Sequence, residues 1–115
     1  MAYLALIVED VIINKWELID EVTILGRAKD CDIQIDDQSV SSKHARIIAE
    51  PDPFLDGNRN MFIEDLRSTN GTELNGQPVS KEKLSDGDSL KIGFTDFQYI
   101  ENDSNNLDET AVILS

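Results

Sequence analysis

The chain has 115 residues, enough for one domain with its own core, and a 40% hydrophobic content argues against a disordered chain. Its 23 acidic and 10 basic residues give a net charge of −13, which disfavours nucleic acid and anionic membranes as partners. The single cysteine, Cys31, excludes an intramolecular disulfide and favours a reducing compartment.

The N-terminal residues do not have the pattern of a targeting signal. No basic residue precedes the apolar run at residues 3–8, and Glu9 and Asp10 end it. No apolar stretch approaches the roughly 18 residues of a membrane-spanning helix. We therefore expect a cytoplasmic protein without a membrane partner.

Short apolar runs follow one another along the chain, without the 3.6-residue periodicity of a helix. Turn-forming pairs such as Asn70-Gly71, Asn75-Gly76 and Asp86-Gly87 separate them. Many short strands at this spacing predict an all-β sandwich or barrel with no helix of consequence. The predicted strands are Tyr3–Val8, Ile12–Ile19, Val22–Leu25, Asp32–Ile35, His44–Glu50, Met61–Glu64, Leu90–Ile92 and Phe97–Ile100.

The composition changes once, after Ile100. Residues 101–106 are polar and suit a flexible linker, and residues 107–115 form a short tail that ends in apolar residues. We therefore expect the domain to occupy residues 1–100, and the linker and tail to occupy residues 101–115.

Four motifs follow or join the predicted strands. Gly26-Arg27 closes the third strand, and residues 41–44 (Ser-Ser-Lys-His) open the fifth. Residues 68–72 (Ser-Thr-Asn-Gly-Thr) follow the sixth strand, and residues 84–93, which include Leu-Ser-Asp-Gly-Asp, lead into the last strands. All four therefore lie at strand ends, where loops can present polar groups.

These residue types suit the recognition of an oxyanion on a peptide. The guanidinium of Arg27 can hold a phosphate through two parallel hydrogen bonds. Ser41 and Thr69 supply hydroxyl donors, and the Asn70 amide can both donate to and accept from a peptide backbone. We find no acid–base pair or activated nucleophile, and no clustered metal ligands around Cys31. The pattern predicts binding rather than catalysis, with no cofactor and no metal.

In this order and spacing, the four motifs resemble the forkhead-associated (FHA) domain family, and the chain is similar to the small FHA proteins of bacteria. The resemblance covers about residues 3–100. It implies an eleven-stranded antiparallel β-sandwich whose recognition loops lie at one end. It also implies binding to phosphothreonine peptides, with a Ser/Thr kinase or its substrates as partners.

The resemblance also implies roles for single residues. Arg27 and Ser41 would contact the phosphate, Thr69 would help to hold the phosphothreonine, and Asn70 would bind the peptide backbone. The family often has Arg or Asn at the position of Ser42, so a serine there weakens the expected phosphate contact; Lys43 and Arg67 are candidates to compensate.

Four further positions have structural or selective roles in the family. His44 would brace the loops without touching the ligand, and Gly26 and Gly71 would shape the turns. Ser39 lies in the loop that helps to select the peptide residue three positions after the phosphothreonine, where a small neutral side chain leaves room for an apolar residue.

Two alternatives remain open. Ser42 and the acidic charge favour, as a second hypothesis, a phosphorylation-independent interaction scaffold of the same fold. Thr110 follows Asp108-Glu109 and precedes apolar residues, so it is a candidate phosphorylation site that could occupy its own or a neighbouring domain. A packed final strand over residues 111–114 is the competing interpretation of the tail.

Overall fold

The computed structural model describes residues 2–55 and 57–101, and these fold into eleven β-strands without a helix. The strands are β1 (Ala2–Val8), β2 (Val11–Glu17), β3 (Val22–Gly26), β4 (Ile33–Gln34), β5 (Ala45–Pro51), β6 (Arg59–Asp65), β7 (Thr72–Leu74), β8 (Gln77–Pro78), β9 (Lys81–Lys83), β10 (Ser89–Ile92) and β11 (Thr95–Glu101).

The strands form two sheets. One has six strands in the order β2-β1-β11-β10-β7-β8, and the other has five in the order β4-β3-β5-β6-β9. The core lies between them because alternate side chains of each strand face the opposite sheet. In β5, Ile47 pairs with Ile63 and Ala49 pairs with Met61, and all four side chains are buried. Phe97 and Tyr99 of β11 are the largest buried side chains.

The expected β-sandwich with eleven strands is confirmed. The eight strands predicted from apolar runs are all present, and three strands of two or three residues, β7, β8 and β9, complete the sheets. One expectation was wrong, since the sandwich is not wholly antiparallel: β3 and β4 pair in parallel. The loop at residues 27–32 carries the chain back beside Leu25, and Asp32 Oδ2 accepts a hydrogen bond from Ile24 N at 2.8 Å, which closes this crossover.

The loops with the predicted functional residues leave from one end of the sandwich. Leu25 pairs with Ala45, and Ala45 pairs with Asp65, so the loops at residues 27–44 and 66–71 start at the same level. The turn at residues 93–94 lies at the same end of the sandwich, because Thr72 at the start of β7 pairs with Ile92 at the end of β10. No helix in the described part of the chain could cross a membrane.

Candidate functional site

Gly26 allows two loops to meet behind Arg27. A Cβ atom at this position would lie 2.1 Å from the backbone oxygen of Ser42, which no side chain can accommodate. The close approach lets Arg27 N donate to Ser41 O at 2.9 Å and Ala28 N donate to Ser42 O at 3.2 Å. Gly26 thereby allows the backbone of Arg27 to lie beside the loop that carries Ser41.

The Ser41 hydroxyl connects this loop to the next one. Its Oγ accepts a hydrogen bond from Thr69 N at 3.0 Å. A hydroxyl that accepts from the protein still has its own O–H to donate. Ser41 is thus bonded to Thr69 through its hydroxyl and to Arg27 through its backbone carbonyl, and its O–H donates to none of the described residues.

His44 is fully buried and holds the loops in place through both ring nitrogens. Nδ1 accepts from Ser41 N at 3.0 Å, and Nε2 donates to Gly71 O at 2.8 Å. An acceptor at Nδ1 and a donor at Nε2 require the neutral ring with its proton on Nε2. In addition, His44 O accepts from Leu66 N at 2.9 Å. Gly71 itself has a φ of 85°, the left-handed conformation that favours glycine.

Asp65 is a second organising group, and the motif analysis of the sequence overlooked it. Its carboxylate accepts from Ser68 N at 3.1 Å and from Thr72 Oγ1 at 2.7 Å, and Ser68 Oγ donates to it as well. Burial raises the pKa of this carboxyl, but the hydrogen bonds from Ser68 and Thr72 outweigh burial and hold that pKa below its usual value. The spacing Asp-x-x-Ser, which is typical of side-chain-closed turns, is the signal that could have identified it.

Arg27 is exposed, and its guanidinium has no hydrogen bond or ion pair with any described residue. This is unusual in a chain with a net charge of −13, in which Arg46 pairs with Glu64 at 2.6 Å and Arg59 with Glu21 at 3.5 Å. The side chain is therefore available to an external anion.

Ser42 and Lys43, which follow Ser41 in the chain, differ in whether their side chains are available to a ligand. The Ser42 side chain is exposed, while its carbonyl oxygen accepts from Cys31 Sγ at 3.2 Å. Lys43 donates to Asp30 at 2.7 Å, and this hydrogen bond raises the pKa of Lys43. Lys43, one of the two residues expected to compensate for Ser42, thus already has an anionic partner.

Asn70 and Ser39 are linked to each other. Asn70 Nδ2 donates to Ser39 O at 2.7 Å, which leaves Oδ1 and one N–H of this exposed amide for a ligand. Ser39 is buried, and its Oγ accepts from Phe94 N at 2.9 Å. The selective role of Ser39 stays a prediction, and in the structure its hydroxyl faces the turn at residues 93–94.

The structure therefore brings the loop residues predicted for the site to one end of the sandwich. Thr110 lies outside the described residues, so its role stays a prediction. Among the residues that are described, no group of three or more His, Cys, Asp and Glu side chains could hold a metal ion.

Comparison with known proteins agrees with this geometry. The sequence model of the FHA domain matches residues 23–93, which include all the loops described above. The chain belongs to the FHA family. Its described strands therefore form an FHA domain, a fold whose members recognise phosphothreonine.

The relatives of this FHA domain include regulatory proteins. The oxoglutarate dehydrogenase inhibitor of Corynebacterium jeikeium is 35% identical over 80 residues, which are 70% of this chain and 51% of that protein. The glycogen accumulation regulator GarA of Mycobacterium tuberculosis is 38% identical over 77 residues, which are 66% of this chain and 43% of GarA. The chain thus spans about half of these relatives.

A solved FHA domain, described for its phosphothreonine-dependent interactions, superposes with a TM-score of 0.74. It is 29% identical, and the superposition covers 89% of this chain and 97% of that domain. The likeness therefore extends over nearly the whole described fold.

We expect His44→Ala to destabilise the FHA domain by at least about 2 kcal/mol, because it leaves Ser41 N–H without a partner, removes one of the two hydrogen bonds that Gly71 O accepts, and opens a cavity. Urea denaturation would measure this. Arg27→Ala, at an exposed and unpaired side chain, should stay within about 0.5 kcal/mol of the wild type. A His44→Ala variant as stable as the wild type that cannot bind ligand would instead make His44 a direct contact.

Proposed function

We propose that the FHA domain of this chain binds phosphothreonine peptides through Arg27, Ser41, Ser42, Thr69 and Asn70. The observation that carries the proposal is that Arg27, whose guanidinium has no partner among the described residues, is joined through its backbone N–H to Ser41, whose hydroxyl proton is likewise not donated to any described residue. A phosphothreonine carries about −1.5 to −2 charges and three acceptor oxygens, which match this set of donors. The exposed hydroxyls of Ser42 and Thr69 add donors at its edge.

The net charge of −13 does not prevent this binding. Charge-assisted hydrogen bonds contribute about 1.5–3 kcal/mol each. Exposed charges more than about 8 Å apart are largely screened at physiological salt. The local donors therefore outweigh the distant carboxylates, and the acidic surface slows the encounter more than it weakens the complex.

The proposed role is recognition in Ser/Thr kinase signalling or complex assembly, without catalysis. Both ring nitrogens of the buried His44 are engaged in hydrogen bonds, so this ring cannot act as a general base. The proposed partners are phosphorylated proteins and the kinases that act on them. A cytoplasmic location belongs to the same proposal and is supported by the free, buried thiol of Cys31.

We expect Arg27→Ala to lower the affinity for a phosphothreonine peptide by at least about 2 kcal/mol, roughly 30-fold, because it removes the charged contact to the phosphate. Isothermal titration calorimetry would measure this. Arg59→Ala is the matched control, since it removes the same charge from the opposite end of the sandwich. Unchanged affinity in Arg27→Ala would refute the assignment of the site.

The unphosphorylated twin of the peptide separates the two hypotheses drawn from the sequence. A phosphothreonine reader binds the twin far more weakly than the phosphopeptide. A phosphorylation-independent scaffold binds both alike, and Arg27→Ala leaves both affinities unchanged.

We also propose that phosphorylation of Thr110 regulates ligand binding, because the phosphorylated tail can occupy the phosphothreonine site. Strand β11 spans about 20 Å from the recognition end to Glu101. The nine residues from 102 to 110 reach at most about 30–32 Å when extended, so a phosphorylated Thr110 can reach the site of its own domain or of a second copy. Kinase treatment followed by mass spectrometry and peptide competition tests this. We expect the phosphorylated chain to bind external phosphopeptide more weakly, and equal binding would exclude the switch.

A further inference from the structure

Arg67 adopts a backbone conformation that is rare for its residue type. It has a φ of 56° in the loop between β6 and β7. Of the four non-glycine residues with positive φ in the described ranges, Glu9, Asp10 and Asn75 lie in two-residue hairpin turns, and Arg67 alone lies in a recognition loop. Left-handed φ is unfavourable for most L-residues, and Gly or Asn would fit more easily.

The surrounding hydrogen bonds impose this conformation. Leu66 N donates to His44 O at 2.9 Å, and Ser68 N donates to the Asp65 carboxylate at 3.1 Å, so the backbone is anchored on both sides of Arg67. A strained residue that the surrounding structure holds in place often marks a functional position. The anchoring explains the backbone but does not explain why the side chain is an arginine.

The guanidinium of Arg67 has no partner among the described residues, although the chain is strongly acidic. The two acidic residues that precede it are engaged elsewhere. Asp65 accepts from Ser68 and Thr72, and Glu64 pairs with Arg46 at 2.6 Å. An exposed cation beside engaged carboxylates is available to an anion from outside the protein.

The two unpaired arginines of the described chain, Arg27 and Arg67, both lie in the recognition loops, whereas Arg46 and Arg59, on β6 and the strand beside it, pair with glutamates. Arg27 is joined to Ser41 through a backbone hydrogen bond and serves the phosphate in the proposed function. Arg67 precedes Thr69 by two residues, which sets its Cα up to about 7 Å from that of Thr69. Two residues of an extended peptide cover the same distance.

We propose that Arg67 forms a second anion-binding subsite, which holds the carboxylate of an aspartate or glutamate within two residues of the phosphothreonine. The inference rests on the proposed function and specifies its ligand as an acidic phosphopeptide. The planar fork of the guanidinium suits a carboxylate through two hydrogen bonds. The subsite confers selectivity rather than basal affinity, because an exposed ion pair changes affinity by at most about fivefold.

The test uses phosphothreonine peptides with an otherwise neutral sequence, in which one aspartate is placed at −2, −1, +1 or +2, or five residues away as a charge control. Calorimetry compares the wild type with Arg67→Asn, which retains a residue that tolerates positive φ. Arg59→Gln is the control for net charge. Thermal denaturation should show Arg67→Asn to be at least as stable as the wild type, because the strain is relieved.

We expect one near aspartate to raise the wild-type affinity up to about fivefold over the charge control. Arg67→Asn should lose this preference and keep its affinity for the neutral phosphopeptide, while Arg59→Gln should keep both. A preference that survives in Arg67→Asn overturns the subsite. Equal weakening of all phosphopeptides assigns Arg67 to the phosphate and overturns the carboxylate assignment. Failure of the wild type to bind any phosphopeptide refutes the proposed function itself.

Discussion

The end of the sandwich that carries the loops at residues 27–44 and 66–71, the recognition end, depends on two hydrogen bonds of one buried imidazole. The neutral ring of His44 accepts from Ser41 N and donates to Gly71 O, and thereby connects the loop before β5 with the loop before β7. Neither loop has regular structure of its own, so the relative position of their polar side chains depends on such cross-links. Since the Ser41 hydroxyl also accepts from Thr69 N, the positions of the proposed phosphate contacts follow from this bridge.

The carboxylate of Asp65 also holds a recognition loop in place through hydrogen bonds, at the end of β6. Its carboxylate organises the loop at residues 66–71 through Ser68 and Thr72 and forces the unusual backbone of Arg67. Preorganised loops lose little conformational entropy when a ligand binds, which favours affinity from a small number of contacts. The strained position is thus a consequence of how the site is held together.

The arginines on the strands differ from those in the loops in whether they form ion pairs. Arg46 and Arg59 on the strands pair with glutamates, whereas the guanidiniums of Arg27 and Arg67 at the recognition end have no partner among the described residues. A strongly acidic domain can therefore present a local cationic site. The excess of carboxylates elsewhere restricts non-specific binding to other polyanions.

Much of this architecture could be predicted from the sequence, and the exceptions have physical reasons. Short apolar runs between turn signals identified the longer strands, such as β5, but β8 (Gln77–Pro78) and β9 (Lys81–Lys83) contain no apolar run and could not be recognised in this way. The parallel pairing of β3 with β4 depends on a hydrogen bond between Ile24 and Asp32 that no local pattern reveals.

The candidate site, like the fold, could be predicted from the sequence only in part. The residue types of Arg27, Ser41 and Asn70 suggested donors for a phosphopeptide, and the family resemblance predicted that their loops lie at one end of the sandwich. The burial of Ser39 and the strained φ of Arg67 arise from contacts with residues in other loops, and could not be predicted from the sequence of one loop.

The central claim is that the loops joined by His44 form one phosphothreonine site. Amide chemical-shift mapping of the isotope-labelled protein, titrated with a phosphothreonine peptide and with its unphosphorylated twin, tests it most directly. We predict that the phosphopeptide shifts the signals of residues 27–28, 41–42 and 67–71 and the Arg27 side-chain resonance, and that the twin does not. Equal shifts with both peptides, or shifts confined to the opposite end of the sandwich, would contradict it.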